Sequence, residues 1–88
     1  MLQEDIEIFN TAKAALQDEY VQKIQATKDE ITNLKITNAK ENLRLDITQG
    51  KDEEYTNINN EYYRKLTELQ DELKKLEIEK RRLDNSKF

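Results

Sequence analysis

One residue in this 88-residue chain disfavours a helix on its own account: Gly50, the only glycine, in a sequence without proline. Proline in a helix interior costs about 3 kcal/mol and glycine about 1 kcal/mol relative to alanine. A chain so short of breakers folds as long helix. Its topology then depends on residues 47–55, ITQGKDEEY, which read either as a turn or as a soft spot in one rod.

Composition narrows the kind of helix. Charged residues make up 39% of the chain and hydrophobic ones 35%, against roughly 25% and 45–50% in an ordinary globular domain. Such a chain does not wrap a thick core. It orders itself as long helices with one narrow apolar seam. Cysteine and histidine are both absent. That removes disulfides, thiolate ligands, the commonest transition-metal ligands and the usual neutral-pH acid/base. No apolar run approaches the ~18–20 residues of a membrane span. The opening MLQEDIEIF carries acids where a signal peptide carries a basic segment. The expectation is a soluble, intracellular chain, already mature or a fragment of a longer one.

The clearest seam lies towards the C-terminus. Tyr62, Leu66, Leu69, Leu73, Leu76 and Leu83 alternate in steps of four and three, broken only at Lys80, with charges on the other faces. That is the a/d pattern of a coiled coil. Earlier, Leu2, Ile6, Phe9, Leu16, Tyr20, Ile24, Ile31 and Leu34 follow a similar stripe. It is less regular, with a stutter at 16, 20 and 24 and with Lys13 and Thr27 at seam positions.

Two patterns compete between them. The C-terminal heptad phase, run backwards, meets Asn59, Tyr55, Asp52, Thr48, Leu45, Glu41 and Asn38, of which only Leu45 and Tyr55 are apolar. An eleven-residue stripe of Ile36, Ala39, Leu43 and Ile47, continued by Ile58, Tyr62, Leu66 and Leu69, is more apolar and passes Gly50 without losing phase. This second pattern predicts one near-continuous helix. Asn10, Asn38 and Asn59 fall at or near the heptad seam, where a buried amide fixes register at some expense of stability.

The alternative is an antiparallel hairpin turning near Gly50. In it Gly50 takes the left-handed position that ends a helix, and Asp52 caps the next one, with Glu53 and Glu54 at its positive end. Pairs whose numbers add to about 104 would then meet: Ile47 with Ile58, Leu43 with Tyr62, Leu34 with Leu69 or Leu73, Ile31 with Leu73, Tyr20 with Leu83, Leu16 with Phe88. Residues 2–12 would overhang, leaving Leu2, Ile6 and Phe9 unpaired. In a parallel homodimer, Lys23 with Lys28, Glu72 with Glu77 and Glu79 with Asp84 repel, and only Glu30 with Lys35 attracts. Each pair is worth about 0.2–0.5 kcal/mol, so charge favours an antiparallel arrangement or a different partner chain.

Sites with chemistry of their own are not found. One glycine builds no phosphate-binding loop, and DEEYTNINNEYY lacks the spacing of a calcium loop. The basic residues Lys74, Lys75, Lys80, Arg81 and Arg82 are interleaved with Glu77, Glu79 and Asp84. They suit a helix C-terminus better than nucleic acid. Tyr55, Tyr62 and Tyr63 read as seam packing before a base-stacking platform.

The sequence therefore predicts an all-α, elongated coiled coil, residues 1–88 forming a single segment whose seam weakens around 48–54. One near-continuous helix per chain is the leading topology and the hairpin its alternative. The expected role is structural, not enzymatic: oligomerisation or tethering within a filament, scaffold, cytoskeletal or motor assembly, or else a helical-hairpin adaptor or chaperone-like module. Its expected interface is Ile31, Leu34, Ile36, Leu43, Ile47, Ile58, Tyr62, Leu66, Leu69, Leu73, Leu76 and Leu83. The expected partner is a second copy, as a homodimer, or another coiled-coil protein; no cofactor, metal, nucleic acid, membrane or small-molecule substrate is expected. The heptads resemble coiled-coil segments of cytoskeletal, kinetochore, tethering and surface-fibre proteins, a pattern that unrelated sequences reach readily.

Overall fold

The computed structural model describes residues 2–88. They form two helices, α1 (Gln3–Thr48) and α2 (Asp52–Asp84), joined by Gln49, Gly50 and Lys51. The molecule measures 71 × 16 × 10 Å, with a Cα radius of gyration of 20.4 Å. A globular chain of this length would have a radius near 12 Å. At 1.5 Å per residue α1 spans about 69 Å and α2 about 50 Å, so α1 is the long axis and α2 lies antiparallel along most of it.

The fold is all-α and elongated, and its topology is the hairpin. The expectation of one near-continuous helix is corrected here: the helix is interrupted at 49–51. A lone rod leaves its whole seam in water, and folding back covers that seam within one chain.

The turn is built differently from the expected one. Gln49, not Gly50, is the left-handed residue (φ 58°, ψ 51°), and no glycine has a positive φ. The amides of Gln49 and Gly50 both donate to the carbonyl of Leu45. Glycine is favoured at 50 for space, because a Cβ there would stand 2.6 Å from Leu45 Cδ2 and 3.0 Å from Leu45 Cβ, so that Leu45 would have to shift. Asp52 does not cap α2; it is the first helical residue, and Lys51 holds the cap position in extended conformation. The Lys51 N–H donates to Glu54 Oε1 at 3.2 Å, half of a capping box, since a lysine side chain has no acceptor to complete it. Asp52, Glu53 and Glu54 lie in the first turn of α2 and Arg81 and Arg82 in its last, both favourable to the helix dipole.

Register is fixed by polar bonds across the hairpin. Tyr55 Oη donates to Asp46 Oδ1 at 2.6 Å, Asn42 and Asn59 exchange amide bonds at 3.1 and 3.3 Å, and Tyr20 Oη donates to Glu79 Oε2 at 2.9 Å. Gln17 Nε2 donates to Asp84 Oδ1 at 2.8 Å. Partner numbers thus add to between 99 and 101, three to five short of the expected value of about 104, and Ile47 is left 81% exposed. Beyond Asp84 the chain leaves the helix. There Lys13 Nζ donates to the carbonyls of Asp84 and Ser86, and the Phe88 ring packs edge-on against Phe9 at 5.2 Å. Phe9, expected to be unpaired, therefore has a partner, whereas Leu2 stays exposed.

Two helices bury little completely. Only Leu76 (8% exposed) and Thr27 (7%) count as buried among the described residues. Thr27 satisfies its hydroxyl on the carbonyl of Lys23 at 2.9 Å, which lets a polar residue occupy a seam position.

Candidate protein-interaction surface

From Lys13 to Leu45 the covered positions of α1 step by four and three, 13, 17, 20, 24, 27, 31, 34, 38, 41, 45, with Asn42 half-buried beside Glu41. In α2 they are 55, 59, 62, 66, 69, 73, 76, 80 and 83, with Ile58 and Glu79 half-buried beside them. In α1 the heptad phase, not the eleven-residue stripe, faces the partner helix, whereas in α2 the stripe residues Ile58, Tyr62, Leu66 and Leu69 are all covered. Next to the turn this places Asn38, Glu41, Asn42 and Asn59 between the helices and turns apolar residues outwards. Ile36 is 49% exposed, Leu43 59% and Ile47 81%. Ile36 and Leu43 are one heptad apart and Ile47 follows four residues on, so the three share the face of α1 opposite the seam.

Of the residues named from the sequence, the structure brings Ile31, Leu34, Ile58, Tyr62, Leu66, Leu69, Leu73, Leu76 and Leu83 to covered positions. Ile36, Leu43 and Ile47 are separated from them on the outer face of α1. Leu34, Asn38, Glu41, Ile58, Tyr62 and Lys65 line an open groove of about 300 Å³ along one edge of the seam. Asn38 Oδ1 is buried there without a hydrogen-bond partner, while the carbonyl of Asn38 accepts from Asn42 Nδ2 at 2.8 Å.

The charges beside the outer stripe are uneven. Between Ile36 and Ile47 lie Lys40, Glu41, Arg44 and Asp46. Glu41 is half-buried on the seam side, and Asp46 holds Tyr55. Lys40 and Arg44 have no ion pair among the described residues, whereas Arg64 pairs with Glu61 at 2.6 Å and Glu68 at 2.7 Å. The outer face near the turn is therefore an apolar stripe with a basic margin.

Perturbed ionisations follow the polar bonds. The Tyr55 phenol is pushed up to about 12, first by its hydrogen bond to Asp46, then by desolvation and the charges of Asp46, Asp52 and Glu54. Glu79 raises Tyr20 in the same way. Glu61 is lowered by its bond from Arg64, and Asp84 by bonds from Lys80 and Gln17. All these groups are solvent-accessible pairs that order side chains, and none sits in an enclosed pocket.

Sequence reasoning singled out Asn59 but missed its partner Asn42. The signal was Asn42's place beside the heptad position of Glu41. It also missed the Tyr55–Asp46 and Tyr20–Glu79 bridges, which need the register before they become visible. Among the described residues no helix is long and apolar enough to cross a membrane, and no cluster of acidic side chains is arranged to hold a metal. No family model, curated protein or solved structure matches the chain.

Proposed function

We propose that the hairpin is a structural docking arm whose outer face near the turn receives a helix of another protein. The observation that carries this reading is the exposure of Ile36, Leu43 and Ile47 on one face of α1, while amides occupy the seam behind them. An ordinary distribution would put these apolar residues inside and the asparagines outside. The basic margin of Lys40 and Arg44 selects a helix whose own apolar stripe is flanked by acidic residues. The arm would serve as a tether or adaptor within a larger scaffold, filament, cytoskeletal or motor assembly, and catalysis is no part of this reading.

Three aliphatic side chains limit the strength. Complete burial of each contributes about 1.5–3 kcal/mol, and these are already part-covered. Association costs about 4 kcal/mol or more. The stripe alone supports transient docking, on the order of hundreds of micromolar or weaker.

The test uses a synthetic amphipathic helix with leucines at i, i+4, i+7 and i+11 flanked by glutamates, and a second version flanked by lysines. Fluorescence anisotropy should show binding of the acidic version, weakened by salt and abolished by Leu43→Asp with Ile47→Asp. Equal binding of both peptides, or undiminished binding to the double variant, would overturn the assignment.

A further inference from the structure

The seam keeps one heptad phase through the turn. Counted on from Leu45, steps of three and four fall on Thr48 and Asp52 and then arrive at Tyr55, Asn59 and Tyr62, the positions that α2 covers. Gln49, Gly50 and Lys51 fill the three places that a continuing helix would assign outside the seam. A hairpin has no need of this. A turn one residue longer or shorter closes a hairpin as well and destroys the phase.

We infer that a second copy of this chain is able to cover the same seam by exchange. With residues 49–51 refolded as helix, α1 and α2 become one helix over residues 3–84, about 120 Å long. Two such helices side by side, antiparallel, set each α1 against the other copy's α2. The register is the one the hairpin already uses, because its partner numbers add to between 99 and 101 around a midpoint at Gly50. The bonds of Asn42 with Asn59, Tyr20 with Glu79 and Gln17 with Asp84 re-form between copies. Only the layers at the crossing are new, with Thr48 facing Asp52 of the second copy.

The turn favours the change and concentration decides it. Gln49 is left-handed, a conformation disfavoured for non-glycine residues, and the straight helix removes it. The amides and carbonyls of the turn gain helical bonds. Opposing this is the entropy of association. The closed hairpin is thus the dilute form and the exchanged dimer the concentrated one, a known hazard of short, strained hinges. Gly50 separates the two forms. In the hairpin a Cβ at 50 collides with Leu45. In the straight helix position 50 lies opposite the seam, where alanine is favoured over glycine.

The experiment places dyes on Asp18→Cys and Arg82→Cys, selective because the chain has no cysteine. In the hairpin these positions lie level with each other on the outer faces of two packed helices, roughly 20–25 Å apart. Within one chain of the exchanged dimer they are about 96 Å apart. Doubly labelled chain is annealed with an excess of unlabelled chain at increasing concentration, and mass and intrachain energy transfer are read together. Leu43→Asp and Ile47→Asp are included throughout, so that docking on the outer stripe does not contribute. The expected result is a doubling of mass with loss of transfer, reached at concentrations at least about tenfold lower in Gly50→Ala, each ~1.4 kcal/mol being tenfold. A chain with two glycines inserted after Gly50 should keep transfer at every concentration. Retained transfer in Gly50→Ala, whether or not the mass doubles, would sink the proposal, as would equal exchange by the insertion chain.

Discussion

The two ends of the hairpin are built on opposite plans. Away from the turn, Ile24, Ile31 and Leu34 of α1 lie along the seam with Leu66, Leu69, Leu73 and Leu76 of α2, and the outside is mostly charged, with Val21 and Ile78 exposed among the charges. Beside the turn, amides and a carboxylate occupy the seam, and Ile36, Leu43 and Ile47 lie outside. The leucine-rich stretch supplies most of the apolar burial, while the stretch beside the turn carries the amide pair and leaves apolar area exposed. Most of the apolar burial and the amide pair thus lie on different lengths of the same two helices.

The sharpest way to break this contrast is to place a charge in each part. Leu76→Asp buries an unpaired carboxylate at the best-covered apolar position, at a loss of several kcal/mol. A small domain has about 5–15 kcal/mol in total, so circular dichroism should show the cooperative transition lost. Leu43→Asp, on the outer face, should leave melting within a few degrees of the parent. If both unfold the chain, the contrast is wrong.

Next in size is the amide pair. Asn59→Leu alone strands Asn42 and should destabilise by about 1–3 kcal/mol. Asn42→Leu with Asn59→Leu should recover that loss or exceed it, and relax the register. Urea midpoints measure the first effect, and label distances across α1 and α2 the second. Smaller still is Gln49→Gly, which relieves the left-handed residue and should stabilise the closed hairpin by about 1 kcal/mol, read as a rise of a few degrees in Tm.

The mildest effect is on pH. Tyr55 has its pKa raised by Asp46, so its contribution is complete below the unfolded value near 10 and is lost as pH rises towards about 12. Ultraviolet titration of tyrosinate alongside helicity should show the turn end loosening in that window. Tyr55→Phe should reduce the dependence, leaving the smaller part from Tyr20.

The sequence made the leucine-rich stretch plain. Tyr62, Leu66, Leu69, Leu73, Leu76 and Leu83 repeat at seam spacing, and no other arrangement of them is as apolar. It misdirected beside the turn, where the more apolar stripe through Ile36, Leu43 and Ile47 is the outer one. Local hydrophobicity lost there because the phase of a long helix is set collectively. Once Ile24, Ile31, Leu34 and the leucines of α2 face each other, helical geometry delivers Asn38, Glu41 and Asn59 to the seam whatever their polarity. Gly50 marked the turn correctly but for a different reason: a missing Cβ against Leu45 mattered, and the left-handed residue was its neighbour. The choice between rod and hairpin was hard to read from pattern because the phase is shared by both.

The contact between Phe9 and Phe88 has a mechanical consequence. Leu2 and Phe88 leave the rod at the same end, so tension applied between them peels rather than shears. The aromatic pair parts first, then Lys13 and Gln17 release Asp84, and after that the seam opens one layer at a time. Each step resists with the strength of a single layer, and the whole seam is never loaded at once. Held by those two ends, the rod would behave as a zipper that yields at low force and lengthens progressively. Its amide pair would be among the last interlocks to open.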